Sequence, residues 1–373
     1  MRTTVGIATA GRPADVDRLL GHLLGGTPAP DEVLVVDDSD DHETTAVADD
    51  RRADTDLGDR LRYVHRPNGD SLPGARNVVV ERSRGEILCF LDDDTVPMEG
   101  WLPALVAAYE RYPDVGAVGG PALQAAGDCT VTVPVDRRAR NRNVITKYGE
   151  VSLATDRWVP PEPVRTDALV GANMSFRRAA LSEVGGFDTG YGGTAVYEET
   201  DVMARLSAAG HDLLYHPEAA VYHFERANGG VRAPGRSDRE EYYWLARNAV
   251  RFRWRNFRER FPAALLRAAC WSYGLDPDWR SGLATAVDRT LGRYERAGVR
   301  TRPGHTAPRD HTDGGWRNYW RLVGRSYGPA PLWKELLEGV GRRDPAKLGW
   351  LSGYLDGIRY ETDIGLRPAR RHP

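Results

Sequence analysis

Three consecutive aspartates, Asp92-Asp93-Asp94, close a short apolar run from Ile87 to Leu91. Side by side, their carboxylates repel one another, so the stretch calls for a positive partner. A hard divalent cation, held by one or two carboxylates and completed by substrate phosphates, meets that need. A solvated acidic turn ended by Pro97 is the plainer alternative. Asp37-Asp38 follow a second apolar run, Val33 to Val36. Carboxylates there either accept hydrogen bonds from a nucleobase or ribose, or cap the next helix. Arg76 stands where helix-terminal amides favour an anion, and its guanidinium can pair with phosphate; otherwise it is an ordinary surface arginine. Glu198, Glu199 and Asp201 open a helix, where acids are favoured in any case. A glutamate held near a substrate hydroxyl is also a general base. His223 is either a structural strand histidine or the residue that completes a metal held by Asp94.

The elements that must position these groups follow from periodicity. Val5 to Ala8, Val33 to Val36, Leu61 to Val64 and Ile87 to Leu91 read as strands. A helix opens at Pro13, with Val16, Leu19, Leu20, Leu23 and Leu24 at helical spacing. A second runs from Ser71 through Arg82. This β-α-β-β-α-β order implies a mostly parallel, doubly wound sheet, with ligands beyond the carboxyl ends of its strands. Trp101–Tyr112 reads as a helix, Val115–Gly119 as a strand, and Leu169–Phe176 and Ala219–Phe224 as further strands. Residues 121 to 160 carry no clear pattern, and 49 to 59 read as polar surface. Gly190 to Gly193 reads as a mobile turn that closes over a ligand. The first strand is not followed by G-x-G-x-x-G or by G-x-x-x-x-G-K-[ST], which argues against dinucleotide and P-loop chemistry.

Taken in order, several blocks resemble the inverting family-2 glycosyltransferases of the GT-A fold. They are Thr9-Ala10-Gly11-Arg12-Pro13, Val35-Val36-Asp37-Asp38-Ser39, Gly74-Ala75-Arg76-Asn77 and Phe90-Leu91-Asp92-Asp93-Asp94-Thr95-Val96-Pro97. Gly171-Ala172-Asn173-Met174-Ser175-Phe176-Arg177, Gly185-Gly186-Phe187-Asp188, Glu198-Glu199-Thr200-Asp201 and Val221-Tyr222-His223 follow. The resemblance covers residues 3 to 258. It implies a GT-A type, Rossmann-like α/β fold and a nucleoside-diphosphate sugar donor. It places Thr9, Arg12, Asp37, Asp38, Arg76, Asp93 and Asn173 at that donor, with Thr9 and Asp38 at the base and Asp93 at the ribose. Asp92, Asp94 and His223 become ligands of Mg2+ or Mn2+. Glu199 becomes the catalytic base, with Glu198 its neighbour and Asp201 orienting the helix start. Asn173 would stand where donor sugar and acceptor meet.

The chain departs from the family pattern in two places. The usual Glu-Asp is Glu198-Glu199 here, so either residue can reach the acceptor, and register favours Glu199. Tyr243-Trp244-Leu245-Ala246-Arg247 only echoes the Q-x-x-R-W motif of processive members, which points to transfer of a single sugar. The acceptor would be a hydroxyl on a glycan, glycolipid or lipid-linked saccharide. The rival readings are a sugar-nucleotide pyrophosphorylase, which needs a glycine-rich triphosphate loop, and a silent sugar-nucleotide-binding or scaffold protein. A glycoside hydrolase would need neither the cation nor the nucleotide-binding strand ends.

The 373 residues divide into an expected catalytic domain, 1–235, and a mainly helical C-terminal region, 236–373, with a loop near 299–315. A formal charge of −2 gives no field to recruit nucleic acid. Three scattered cysteines form neither a disulfide framework nor a metal pattern and suit a reducing compartment. Neither a signal segment nor a membrane-spanning run is apparent, so a cytoplasmic location is expected. Six arginines between Arg247 and Arg260, with Trp254 and Phe257 among them, make helix 242–261 basic. It is either a helix packed on the catalytic domain or a peripheral contact with the inner face of the membrane.

Overall fold

The computed structural model describes residues 1–26, 28–53, 60–67, 69, 71–224, 238–258, 352–353 and 355–358. In chain order the elements begin β1 (Thr3–Thr9), α1 (Pro13–Gly25), β2 (Glu32–Asp37), α2 (Glu43–Ala53), β3 (Leu61–His65), α3 (Leu72–Arg82) and β4 (Ile87–Asp92). They continue β5 (Thr95–Pro97), α4 (Trp101–Arg111), β6 (Val115–Gly119), β7 (Ala122–Gln124), β8 (Val144–Ile145), β9 (Val151–Ser152) and β10 (Val164–Arg165). They end β11 (Asn173–Arg177), α5 (Arg178–Glu183), α6 (Glu198–Ala209), β12 (Asp212–Tyr215), β13 (Val221–His223) and α7 (Asp238–Asn256).

Eight strands form one sheet in the order β10-β12-β6-β11-β4-β1-β2-β3. β3, β2, β1 and β4 run parallel, as do β6 and β12, whereas β11 lies antiparallel between β4 and β6. The middle of β2 and of β4, Val33–Val36 and Ile87–Leu91, is continuously apolar because both faces are covered. Alternation along each strand sorts the side chains. Val5, Ile7, Val33, Val35, Cys89 and Leu91 join α1 and α4 in one core. Leu34, Val36, Leu88 and Phe90 join α3, α5 and α6 in the other. Helix α1 offers Val16, Leu19, Leu20 and Leu23, all buried, and each such side chain contributes about 1.5–3 kcal/mol. Gly6 lets α3 lie close on β1, since a Cβ there would sit 2.5 Å from Val79 Cγ1.

β1 lies between β2 and β4, so the chain leaves it in one direction first and returns on the other side later. The gap between β1 and β4 is therefore the switch point, where a crevice opens beyond the strand ends. A second, three-stranded sheet, β5-β13-β7, follows directly from the acidic turn after β4.

Several elements were not expected. Residues 49 to 53 are polar surface, and they belong to α2, a helix that buries only Thr44 and Ala48, so its apolar stripe is too thin to recognise. The strand expected from Leu169 begins only at Asn173. Residues 121 to 160 contain three short strands, β7 to β9, whose lengths of two or three residues give no periodicity. β5, β10 and β12 were not anticipated.

The chain divides into two compact units, Met1–Val144 with Leu153–Arg236, and Ile145–Ser152 with Ser237–Pro373. The expected division at 235/236 leaves out the excursion Ile145–Ser152. Within the second unit, a Cβ on Gly149 would lie 2.9 Å from the Phe257 ring and 3.0 Å from Arg253. Glycine there lets the β8–β9 turn pack on the end of α7. Tyr243 donates to Asp356 across 3.2 Å in the same unit. The expected loop at 299–315, the helical segment expected from Trp316 to Val340, part of the one expected from Leu348 to Ile358, and the end of the basic helix lie outside the described residues.

Candidate active site

Parallel register brings the carboxyl ends of four strands side by side. Thr9 pairs with Asp37, Asp37 with His65, and Ala8 with Asp92. The acidic turn Asp92–Asp94 and Thr9 thus stand on either side of the switch point. Thr95 Oγ1 donates to the Asp92 carbonyl across 2.7 Å and closes the turn. Asp93 points inward and is 3% exposed. Its carboxylate accepts from Thr9 Oγ1 and Arg12 Nη1, each at 2.7 Å. Burial pushes its pKa up to about 7; the Arg12 charge opposes that rise and neighbouring Asp94 adds to it.

Arg12, just before α1, also reaches Asp94 Oδ2 at 3.1 Å. The other oxygen of Asp94 lies 3.3 Å from His223 Nε2. The second sheet produces this meeting. His223 pairs with Thr95 across β13 and β5, and Phe224 N donates to the Asp94 carbonyl at 2.9 Å. Ligand atoms of Asp92, Asp94 and His223 all fall within 4.8 Å of one another. Two carboxylates and an imidazole are a donor set that suits a small divalent cation, so the residues present fit Mg2+ or Mn2+.

Arg76 ties this cluster to α6. Its Nη2 donates to Asp92 Oδ1 at 3.0 Å and to the Gly171 carbonyl at 3.2 Å. Its Nη1 makes an ion pair with Glu198, and both side chains are almost fully buried. Glu199, the next residue, is half-buried. Desolvation raises its pKa, and the Asp92 charge adds to the rise while Arg76 opposes it. The start of α6 is fixed from several sides. Asp201 accepts from Tyr191 Oη at 3.1 Å and Arg205 Nε at 2.8 Å. Arg205 also donates to the carbonyls of Val184 and Gly186. Asn77 and Phe187 exchange two 2.8 Å hydrogen bonds, which pin the preceding turn to α3. The backbone entering α6 is left-handed at Ala195 (φ 54°) and Tyr197 (φ 78°), positions where L side chains are uncommon.

Four of the residues expected at the donor face protein instead. Asp37 is fully buried and accepts from the Ser39 amide, the Ser39 hydroxyl and Tyr63 Oη. Asn173 is 1% exposed; it accepts from Trp101 Nε1 at 2.9 Å and donates to the carbonyls of Pro121 and Ala219 at 3.0 and 2.7 Å. Asp93 and Arg12 hold each other. Their place is in fixing the edge: a buried polar group must be satisfied, and neighbouring strands and helices satisfy these. Asp38 is more open and pairs with Arg66 at 3.0 Å, while Gly69 packs so close that a Cβ there would collide with the carboxylate. The glycine-rich turn at 190–193 is anchored at its centre, since Tyr191 is buried. Arg66, Tyr63 and Tyr191 were not singled out from sequence. Arg66 had a readable signal, because it directly follows β3 at the ligand-bearing edge.

The model of "Glycosyl transferase family group 2" matches residues 87–301, and that of "Glycosyl transferase family 2" matches residues 4–156. The chain belongs to the family-2 glycosyltransferases. Among curated relatives of this family-2 chain, the glucosyl-dolichyl phosphate glucuronosyltransferase of Haloferax volcanii is 28% identical over 207 residues, 54% of this chain and 61% of that protein. The succinoglycan biosynthesis protein ExoM of Rhizobium meliloti is 27% identical over 249 residues, 66% of this chain and 71% of that protein. The chain thus spans about six-tenths of the haloarchaeal relative. The crystal structure of GalNAc-T7 with UDP, GalNAc and Mn2+ aligns with a TM-score of 0.56 at 17% identity, covering 78% of this chain and 54% of that one. At that identity the likeness carries the GT-A fold alone.

Proposed function

We propose that this chain is a metal-dependent, inverting glycosyltransferase that moves one sugar from a nucleoside-diphosphate sugar to an acceptor hydroxyl. One observation carries the reading: Arg76 bridges Asp92, in the acidic turn, and Glu198, beside Glu199, so the cation-binding and proton-accepting halves share one buried guanidinium. Residues more than a hundred positions apart meet at the switch-point crevice.

Asp92, Asp94 and His223 would hold Mg2+ or Mn2+. When bound, the cation supplies charge neutralisation for a leaving diphosphate. The chain's own residues do the rest. Asp38, paired with Arg66 at the strand edge, receives the base. Thr9, Arg12 and Asp93 hold the acidic turn in register with β1. The Arg76–Glu198 pair fixes the first turn of α6, which leaves Glu199 to face the acceptor. Glu199 takes the proton from the acceptor hydroxyl as that oxygen attacks the anomeric carbon from the side opposite the diphosphate, inverting it. Its raised pKa makes its carboxylate a better proton acceptor near neutral pH than an ordinary one.

The haloarchaeal relative is named for a sugar carried on dolichyl phosphate and the rhizobial one for succinoglycan, which supports a lipid-linked or glycan acceptor here. Among the described residues no helix is long and apolar enough to cross a membrane. The test is a panel of nucleotide sugars in thermal shift with Mn2+. A donor that binds only the folded state raises its melting point. The reading expects one base and sugar to stand out; a panel without any shift, with Mn2+ present, counts against it.

A further inference from the structure

Arg12 pairs with two of the three aspartates in the acidic turn. It holds the buried Asp93 and one oxygen of Asp94, while the other oxygen of Asp94 turns to His223. Asp92 is treated alike, with one oxygen accepting from Arg76. Each aspartate of the candidate cation site thus carries a guanidinium on one side. A cation bound between Asp92, Asp94 and His223 would have two fixed positive charges a few ångströms away, in a setting where charges are poorly screened.

We infer that Arg12 makes divalent-cation binding conditional on a diphosphate. The inference rests on the metal-dependent reading proposed above. Arg12 partly neutralises Asp94, so the protein alone is a weak binder of Mg2+ or Mn2+. A nucleoside diphosphate brings negative charge and further oxygen ligands to the same place, offsets the Arg12 charge and completes the coordination shell. Cation and donor then bind as a coupled pair, and a cation without a donor does not linger in the site. Arg12 acts through Asp93 and Asp94 and is a positioning residue. The coupling is reciprocal: whatever factor the diphosphate adds to cation affinity, the cation adds to diphosphate affinity.

The experiment measures Mn2+ binding by electron paramagnetic resonance, alone and with saturating UDP or GDP, corrected for Mn2+ held by free nucleotide. It uses the wild-type chain, Arg12→Gln and Arg12→Lys, with melting curves for each. In the wild type, UDP or GDP should tighten Mn2+ binding at least about tenfold. Arg12→Gln should bind Mn2+ alone about tenfold more tightly than wild type and lose most of the gain from nucleotide. Arg12→Lys, which keeps the charge, should stay within about threefold of wild type. An Arg12→Gln protein that binds Mn2+ alone no better than wild type overturns the inference, as does Arg12→Lys behaving like Arg12→Gln. Should Arg12→Gln not fold, a wild-type coupling below about twofold overturns it. Absence of Mn2+ binding by wild type with either nucleotide overturns the metal-dependent reading itself, and this inference with it.

Discussion

Arg76 and Glu198 form an ion pair in which the two side chains are 3% and 2% exposed. The pair answers a question that the adjacent glutamates raise. Glu198 is committed to a buried cation, whereas half-buried Glu199 is the one left to meet an acceptor. Glu199→Gln should therefore lower kcat by about 10²–10⁴ while leaving the melting point near wild type. Glu198→Gln should act mainly on stability, because it removes one of the two carboxylates that hold the buried Arg76 and leaves Asp92 as the other; a loss of about 1–3 kcal/mol in urea unfolding is expected. The reverse pattern would assign the base to Glu198.

Activity should depend on the ionised form of Glu199. Its pKa lies above the ordinary 4.5 because burial and Asp92 disfavour the charge. The acidic limb of the kcat/KM profile should thus fall above pH 4.5, with activity rising as Glu199 loses its proton. The sign for stability is opposite. The folded chain holds this proton to higher pH than the unfolded one, so the Glu199 contribution is most favourable below 4.5 and declines as pH climbs through the raised value. Glu199→Gln should remove both dependences, as read by pH-rate and pH-melting series.

His223 reaches the acidic turn through strand pairing, 3.3 Å from Asp94. His223→Ala should raise the Mn2+ concentration needed for half-maximal activity by about tenfold or more, taking the 10–100-fold cost of losing groups that orient metal ligands as a guide. Thermal denaturation without metal should change little, since His223 is partly exposed. An unchanged Mn2+ requirement in a titration would remove His223 from the ligand set.

Asn173 spends its amide on Trp101, Pro121 and Ala219. Asn173→Ala strands the Trp101 indole N–H and the Ala219 carbonyl, at roughly 1–3 kcal/mol each, while Val221 N still donates to the Pro121 carbonyl. The urea midpoint should drop sharply while KM for the donor, measured on the folded fraction, stays within a few-fold of wild type. A large KM effect with unchanged stability would instead put the amide at the donor.

These residues also show what a sequence can and cannot convey. The strand ends were legible because parallel, doubly covered strands are uninterrupted apolar runs, and their last residues must share an edge. That reasoning placed Asp37, Asp38 and Asp92–Asp94 together, and the family resemblance added Thr9. It could not tell which carboxylate turns outward. Asp37 and Asp38 are neighbours in type and position, yet Tyr63 and Ser39 claim the first while Arg66 pairs with the second. Arg12 is one polar residue in a turn until the fold sets it 2.7 Å from Asp93. The strand holding His223 was legible, but β5 is three residues long and carries no periodicity, so its pairing with β13, which brings His223 to Asp94, was not.

The central claim is that one cluster grips a cation-bound diphosphate and accepts a proton from an alcohol. It is tested most directly by following release of nucleoside diphosphate from the nucleotide sugar that binds best, with its acceptor present. The comparison is wild type with Mn2+, wild type with excess EDTA, and Glu199→Gln with Mn2+. The account predicts steady release in the first case and near-background rates in the other two. Release that persists undiminished in EDTA, or in Glu199→Gln, would contradict it.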